Sequence, residues 1–213
     1  NNIVLTIPSG KDYIINGNCY LDSNYGELNI SEDAKLTIKG NLSSEGEINN
    51  NGTLICNGDL ECKTGTSYRY YYQSNEKAKL IVQGNAYFRI SSSTPLKGEV
   101  IFSGNQQQEV KGLYATNITV NNPAGIKYLS ELYLYGHYNL NGNPLDCNGY
   151  KTFMKGNATF ADGSDYKDIV LYTSMTLQSN IPGNLIIGYY IINYINNIVL
   201  TIPSGKDYII NGN

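Results

Sequence analysis

The chain has 213 residues, a formal net charge of −3 and only 15% charged residues. That balance argues against nucleic acid or an anionic membrane surface as partners, since both need basic patches. Hydrophobic residues make up 41%, enough for a core, yet no apolar run reaches the 18 or so residues of a transmembrane helix.

Residues 1–18, NNIVLTIPSGKDYIINGN, return letter for letter as residues 196–213, an offset of 195 residues. Residues 1–195 therefore read as one complete unit and 196–213 as the start of the next identical one. A long exact period is the mark of quasi-one-dimensional architecture, in which each unit packs on its sequence neighbours. The two copies are expected to share one backbone conformation, related by a translation of roughly 45 Å if coils stack at about 4.8 Å.

Within the unit a shorter phrase recurs in chain order. Tyr13-Ile-Ile-Asn-Gly-Asn18 is followed by Leu36-Thr-Ile-Lys-Gly-Asn-Leu42, Leu54-Ile-Cys-Asn-Gly-Asp-Leu60, Leu80-Ile-Val-Gln-Gly-Asn-Ala86 and Val100-Ile-Phe-Ser-Gly-Asn105. Leu132-Tyr-Leu-Tyr-Gly-His137, Leu140-Asn-Gly-Asn143 and Phe153-Met-Lys-Gly-Asn157 continue the series. Gly17, Gly40, Gly58, Gly84 and Gly104 are 23, 18, 26 and 20 residues apart; together with Gly156 they are the candidate structural corners. Each phrase is a short alternating strand ended by a residue that can bend without a Cβ and one whose side chain bonds nearby backbone. Repeated every twenty residues or so, with apolar side chains on one parity, this predicts an all-β fold: a right-handed parallel β-helix, or β-solenoid, with about 20 residues per coil.

The inward parity contains Leu36, Ile38, Leu42, Leu54, Cys56, Leu60, Leu80, Val82, Val100, Phe102, Ile118, Val120, Leu132 and Leu134. Lys39, Gln83 and Lys155 are expected to face solvent. Helical periodicity is absent, and an antiparallel sandwich fits less well because Gly precedes Asn and the next apolar residue follows at once. Two segments read as excursions from the coil: Thr64–Asn75, dense in Tyr, and residues 161–168. Residues 185–195, LIIGYYIINYI, have the β-branched and aromatic content of a strand.

Candidate chemistry is sparse. Cys19, Cys56, Cys62 and Cys147 take places where an aliphatic residue would serve. Cys56 and Cys62 lie roughly 20 Å apart on an extended stretch, out of bonding reach, so all four are expected as free inward thiols. No CxxC pair or Cys–His cluster suggests a metal site. His137, the only His, stands where other coils carry Asn or Asp and reads as an exposed corner. The carboxylates of residues 162–168 have the wrong order for a calcium loop, because Gly163 directly follows Asp162. No Gly-x-Ser-x-Gly elbow exists, and no cofactor, metal or catalytic residue is expected. Tyr68, Arg69, Tyr70, Tyr71 and Tyr72 form a candidate loop for lateral fibre contact, for stacking against a glycan, or for covering a flank of the solenoid. Asn29, Asn41, Asn51, Asn117 and Asn157 begin Asn-x-Ser/Thr triplets and are read as plain turn and strand residues.

Gly98-Glu-Val-Ile-Phe-Ser-Gly-Asn-Gln-Gln-Gln-Glu-Val-Lys-Gly112, then Asn117-Ile-Thr-Val-Asn-Asn122 and Leu140-Asn-Gly-Asn-Pro-Leu-Asp-Cys-Asn-Gly-Tyr150, resemble the repeats of large bacterial surface and adhesin-like proteins, including those of Gram-positive bacteria. The resemblance covers roughly residues 26–160. It implies a β-helix outside the cell and supplies no catalytic residue. The expectation is a structural unit of an extracellular fibre at the cell surface, with further copies of itself as partner. The alternatives are an adhesin stalk that grips glycan or matrix through Tyr-rich loops, and a bactofilin-like intracellular polymer.

Overall fold

The computed structural model describes residues 3–22, 26–63, 72–88, 95–176, 178–181, 183–187, 200–202 and 204. It is a β-solenoid of about eight turns with no helix among the described residues. The first turn carries β1 (Ile3–Ile7), β2 (Asp12–Ile15) and β3 (Cys19–Leu21). The next three carry β4 (Gly26–Ile30), β5 (Lys35–Ile38), β6 (Leu42–Ser44), β7 (Glu47–Asn50), β8 (Thr53–Cys56), β9 (Leu60–Cys62), β10 (Tyr72–Ser74), β11 (Lys79–Val82) and β12 (Ala86–Phe88). Two turns then fuse their first strands into long ones: β13 (Leu96–Phe102) with β14 (Gln108–Lys111), and β15 (Tyr114–Val120) with β16 (Ile126–Tyr128). The remainder is β17 (Leu132–Leu134), β18 (His137–Asn139), β19 (Leu145–Asp146), β20 (Thr152–Met154), β21 (Thr159–Phe160), β22 (Asp168–Leu171), β23 (Met175–Thr176), β24 (Asn184–Ile187) and β25 (Leu200–Thr201).

Strands from successive turns pair in parallel, in three long stacks and a separate pair of β23 with β25. One runs β1-β4-β7-β10, the second from β2 through β5, β8, β11, β13 and β15 to β24, and the third from β3 to β19. In the second stack Tyr13 pairs with Leu36, Leu36 with Leu54, Leu54 with Leu80 and Leu80 with Val100, steps of 23, 18, 26 and 20 residues. Those are the spacings of the corner glycines, because each Gly closes its strand at the same level of the ladder.

The corners explain the Gly-Asn pair. Asn18 Oδ1 accepts the backbone N–H of Asn41 (2.8 Å), and Asn41 Oδ1 accepts that of Asp59 (2.9 Å). Asp59 Oδ1 accepts Asn85 N–H (2.7 Å), and Asn85 Oδ1 accepts Glu109 N–H (2.8 Å). Beside this ladder Gly40, Gly58 and Gly84 donate to the carbonyls of Gly17, Gly40 and Gly58 at 3.0–3.1 Å. A Cβ on Gly40 would overlap Asn18 Oδ1 and sit 2.9 Å from Asn18 N; one on Gly58 would overlap Asn41 Oδ1 and sit 2.8 Å from the carbonyl carbon of Gly40. Close approach between coils, and not a left-handed φ, demands Gly here. Gly156 is the reverse case, with open space around it and φ of +62°. At Gly104 the corner widens: Glu109 takes the ladder position above Asn85, and the Gln108 side chain bridges the gap by accepting from Gly104 N–H (2.9 Å) and donating to Val82 O (3.0 Å).

All fourteen expected inward residues are buried, none more than 2% exposed. Lys39 and Gln83 face solvent. Lys155 does not: it is half-buried against tyrosine rings. The proposed excursion at Thr64–Asn75 ends sooner than expected, since Tyr72–Ser74 is a ladder strand paired with β7; residues 64–71 lie outside the described residues. The 161–168 segment is a turn, but Tyr166 within it is buried in the core, its hydroxyl donating to Tyr138 O (3.0 Å). Of residues 185–195, only the beginning is described, as part of β24. The comparison of the two 18-residue copies likewise falls mostly outside the described residues.

Gly58→Ala should lower stability by about 2–3 kcal/mol, the scale of overpacking against backbone. Gly17→Ala, whose Cβ would meet nothing within 4 Å, should change it by no more than about 0.5 kcal/mol. Thermal melts of the two variants check the pair; equal effects would refute the close-approach account of the corners.

Candidate assembly surfaces

Each of the three long stacks ends on the first turn. β1 pairs only with β4, β2 only with β5 and β3 only with β6 among the described residues. Each leaves one row of backbone donors and acceptors bare, the condition that turns a strand edge into a template. Apolar side chains share the exposure: Ile3 is 75%, Ile14 59% and Tyr20 59% exposed, with Val4, Leu5 and Tyr13 also open. At the opposite end Ile187 on β24 and Ile202 beside β25 are open as well. These eight are the exposed large hydrophobics among the described residues, and all lie at one end or the other.

The flanks are different in kind. On the first stack, Asn29 and Asn49 bond to each other along the axis (3.0 Å), with Glu27 and Glu47 beside them. On the second, Tyr114 and Tyr133 stack with centroids 4.3 Å apart and planes 11° apart; Phe153 continues the column at 5.0 Å from Tyr133, and Tyr172 meets Tyr133 and Phe153 edge-on. These rings follow the ladder register, Tyr114 over Tyr133 over Phe153. Lys155 Nζ lies 4.2 Å from the Tyr172 centroid and 5.0 Å from that of Tyr133, and donates to the Tyr135 hydroxyl (3.0 Å). Burial lowers its pKa, and the ring faces supply part of the solvation that water would.

Of the candidate Tyr-rich loop, Tyr68, Arg69, Tyr70 and Tyr71 lie outside the described residues. Tyr72 is buried on β10, its hydroxyl accepting from Asn50 Nδ2 (3.0 Å). Burial drives its pKa far up. It belongs to the core, so it drops out of any lateral or glycan contact. His137 is exposed at its corner as expected; its N–H donates to Asn117 Oδ1 (3.0 Å), which makes it a late member of the corner ladder. Asp165 pairs with Lys167 in the 162–168 turn.

A polar cleft that sequence reasoning missed lies between Asp146, Cys147 and Tyr150 on one turn and Asp165, Lys167 and Asp168 on the next. It forms only because stacking superposes segments about twenty residues apart, and no local pattern announces it. Asp165 is paired with Lys167 and Asp168 with Lys151 (3.4 Å), while Asp146 Oδ1 accepts the backbone N–H of Asn148 (2.9 Å).

The four cysteines are free thiols. Cys56 and Cys62 are in the core, as expected; Cys19 and Cys147 are only half-buried, packed against its edge. Burial pushes the Cys56 thiol up to about 11 and those of Cys62 and Cys147 to about 12. Tyr128 and Tyr138, fully buried, are raised for the same reason.

No protein-family model, curated protein or solved structure matches this chain. The likeness to bacterial surface repeats therefore stands on the quoted motifs, and the fold supports only its β-solenoid part.

A thiol raised above its unfolded value of 9.0 stabilises the fold fully below that value and loses the contribution as pH climbs through the folded pKa. The melting temperature should accordingly fall as pH rises from about 9 towards 12. In the native protein an alkylating reagent should reach Cys19 and Cys147 first, and Cys56 and Cys62 only on unfolding; equal rates at Cys62 and Cys19 would contradict the burial. Lys155→Ala should cost about 1 kcal/mol in a denaturant titration, the scale of a partly desolvated cation–π contact.

Proposed function

We propose that the chain is a structural unit of an extracellular filament, a continuous β-solenoid in which identical units follow one another along the axis at the bacterial cell surface. The observation that carries this reading is the confinement of every exposed large hydrophobic among the described residues to the two ends. The exact return of residues 1–18 at 196–213 supports it, since the same coil sequence then starts each unit. An unpaired strand edge with open apolar side chains is satisfied by a further coil. Load along such a filament would pass through backbone ladders and stacked apolar side chains, and the unit needs no reacting group for this role.

The adhesin alternative is less well supported. Tyr72, the one residue of its candidate loop among the described residues, is buried, and the aromatic column on the flank turns its ring faces to one another, where a sugar would need a free face. A cytoplasmic polymer would share the architecture, and fractionation of the producing cells separates it from a surface filament.

Sedimentation velocity across a concentration series should show growing end-to-end species, and electron microscopy should show filaments one solenoid wide. Ile14→Asp together with Ile187→Asp should suppress both. A wild-type chain that stays monomeric at high concentration would overturn the proposal.

A further inference from the structure

We propose that Asn148-Gly149, at the rim of the polar cleft, is a self-modification site: the Asn148 amide is lost through a succinimide and replaced by a carboxylate. The proposal stands independently of the filament reading. Asn followed by Gly closes this ring most readily, because Gly sets no Cβ beside the attacking nitrogen. Asn-Gly occurs at 16–17, 51–52, 57–58, 141–142, 148–149 and 211–212. Four of these pairs have a described turn on either side, those that begin at Asn51, Asn57, Asn141 and Asn148. The reaction needs a free Asn side chain and a Gly N–H that can swing onto it, and the four pairs differ in both.

At three of them neighbouring turns hold the pair. Gly58 N–H donates to Gly40 O (3.0 Å) and Asn57 N–H to Ile38 O (2.9 Å). Gly52, which is buried, donates its N–H to Asn50 Oδ1 (3.1 Å), and Asn51 N–H donates to Ile30 O (2.8 Å). Asn141 Nδ2 donates to Asn121 Oδ1 (2.7 Å) and Val120 O (3.2 Å), and Gly142 N–H to Ser164 Oγ (3.0 Å). Asn148 sits in the same local turn as Asn141. Its φ is +49° and that of Gly149 +81°, against +50° and +74° at Asn141 and Gly142. Tyr150 N–H closes it on Cys147 O (2.8 Å), as Asn143 N–H closes the other on Leu140 O (2.8 Å). The bonds to other turns are what it lacks. Among the described residues neither the Asn148 side chain nor Gly149 N–H has a hydrogen-bond partner, and both residues are exposed. A Cβ on Gly149 would meet nothing within 4 Å. Swinging Gly149 N towards Asn148 Cγ therefore disturbs only the bonds Tyr150 N–H to Cys147 O and Asn148 N–H to Asp146 Oδ1. At the other pairs it breaks contacts between turns, and so local a unit opens at far less cost than a ladder.

In the reaction Gly149 N bonds to Asn148 Cγ, the Cγ–Nδ2 bond breaks, and ammonia leaves with the Gly149 amide proton. Water then opens the ring at either carbonyl, which leaves Asp or isoaspartate at 148; nothing is oxidised or reduced. Each event adds a negative charge to a chain of net −3, at the rim of a cleft already lined by Asp146, Asp165 and Asp168. The strand that follows, β20, is held by β17 on one side and β22 on the other, so the ladder outlasts the change in the turn.

The test is incubation of the native chain in mildly alkaline buffer, followed by peptide mapping with mass spectrometry. Conversion of amide to acid should run about tenfold or more faster at Asn148 than at Asn51, Asn57 or Asn141. In denaturant the four rates should converge, because the local chemistry is the same. Ser164→Ala, which frees Gly142 N–H, should raise the rate at Asn141 severalfold and leave Asn148 unchanged. Asn148→Gln, whose longer side chain closes the ring poorly, should remove the first acidic species from ion-exchange separation. Circular dichroism confirms that each variant retains its sheet. Equal rates at the four pairs in the folded chain, faster loss at Asn141 than at Asn148, or an Asn148 that stays intact while the denatured chain reacts would overturn the proposal. An Asn141 rate unmoved by Ser164→Ala would overturn its hydrogen-bond basis.

Discussion

The structure depends on how closely successive coils approach at their corners. At Gly40, Gly58 and Gly84 the backbone of one turn runs so near the turn below that no Cβ fits between them. In return, the Asn or Asp of each turn accepts the backbone N–H of the next. A bent chain interrupts its strand ladder, and the N–H groups at the bend must find acceptors elsewhere. The corner side chains supply them with the same spacing as the strands, so the hydrogen-bonded column continues around the bend. Once the corner is held, the parity of the next strand is set, and with it the inward face.

The core filling changes along the axis under this constraint. The early turns place Leu, Ile, Val and Cys inward at the same ladder levels, Leu36 over Leu54 over Leu80. After β13 and β15 fuse two strands into one, large rings join the aliphatic side chains in the interior. Tyr128, Tyr138 and Tyr166 are fully buried, and their hydroxyls are partnered: Tyr128 with Tyr138 (2.8 Å) and Thr152 (3.1 Å), Tyr166 with Tyr138 O. A buried hydroxyl without a partner would cost about 1–3 kcal/mol. Outside, the same residue type stacks in a column with Lys155 over it. One composition bias thus serves two environments, and in both the stacking of coils decides which rings meet.

Such a structure is stabilised chiefly between neighbouring coils, so its stability is nearly a sum over interfaces, and a coil with a bare face is the weak place. The first of the open ends belongs to the sequence that returns at 196–213. The flanks, by contrast, carry Asn, Glu and Tyr contacts that run along the axis.

The amino-acid sequence by itself determined the repeat, the inward parity and the register. Glycine spacings of 23, 18, 26 and 20 residues are the ladder offsets, because corner and strand are local, adjacent and periodic. It equally placed His137 at a corner and made Cys56 and Cys62 core residues, since each follows the parity of its own strand. Tertiary structure alone decided what depends on the neighbouring turn. Lys155 has the outward parity, yet tyrosines from three other turns surround its ammonium. Tyr72 and Tyr166 sit in polar segments, yet each finds a hydroxyl partner inside. Cys19 and Cys147 have inward parity but lie only half-covered. The acidic cleft and the widened corner at Gly104 are likewise products of stacking. A period-two pattern specifies which face of a strand is apolar; what that face meets is set by a segment about twenty residues away, whose position the local pattern does not encode.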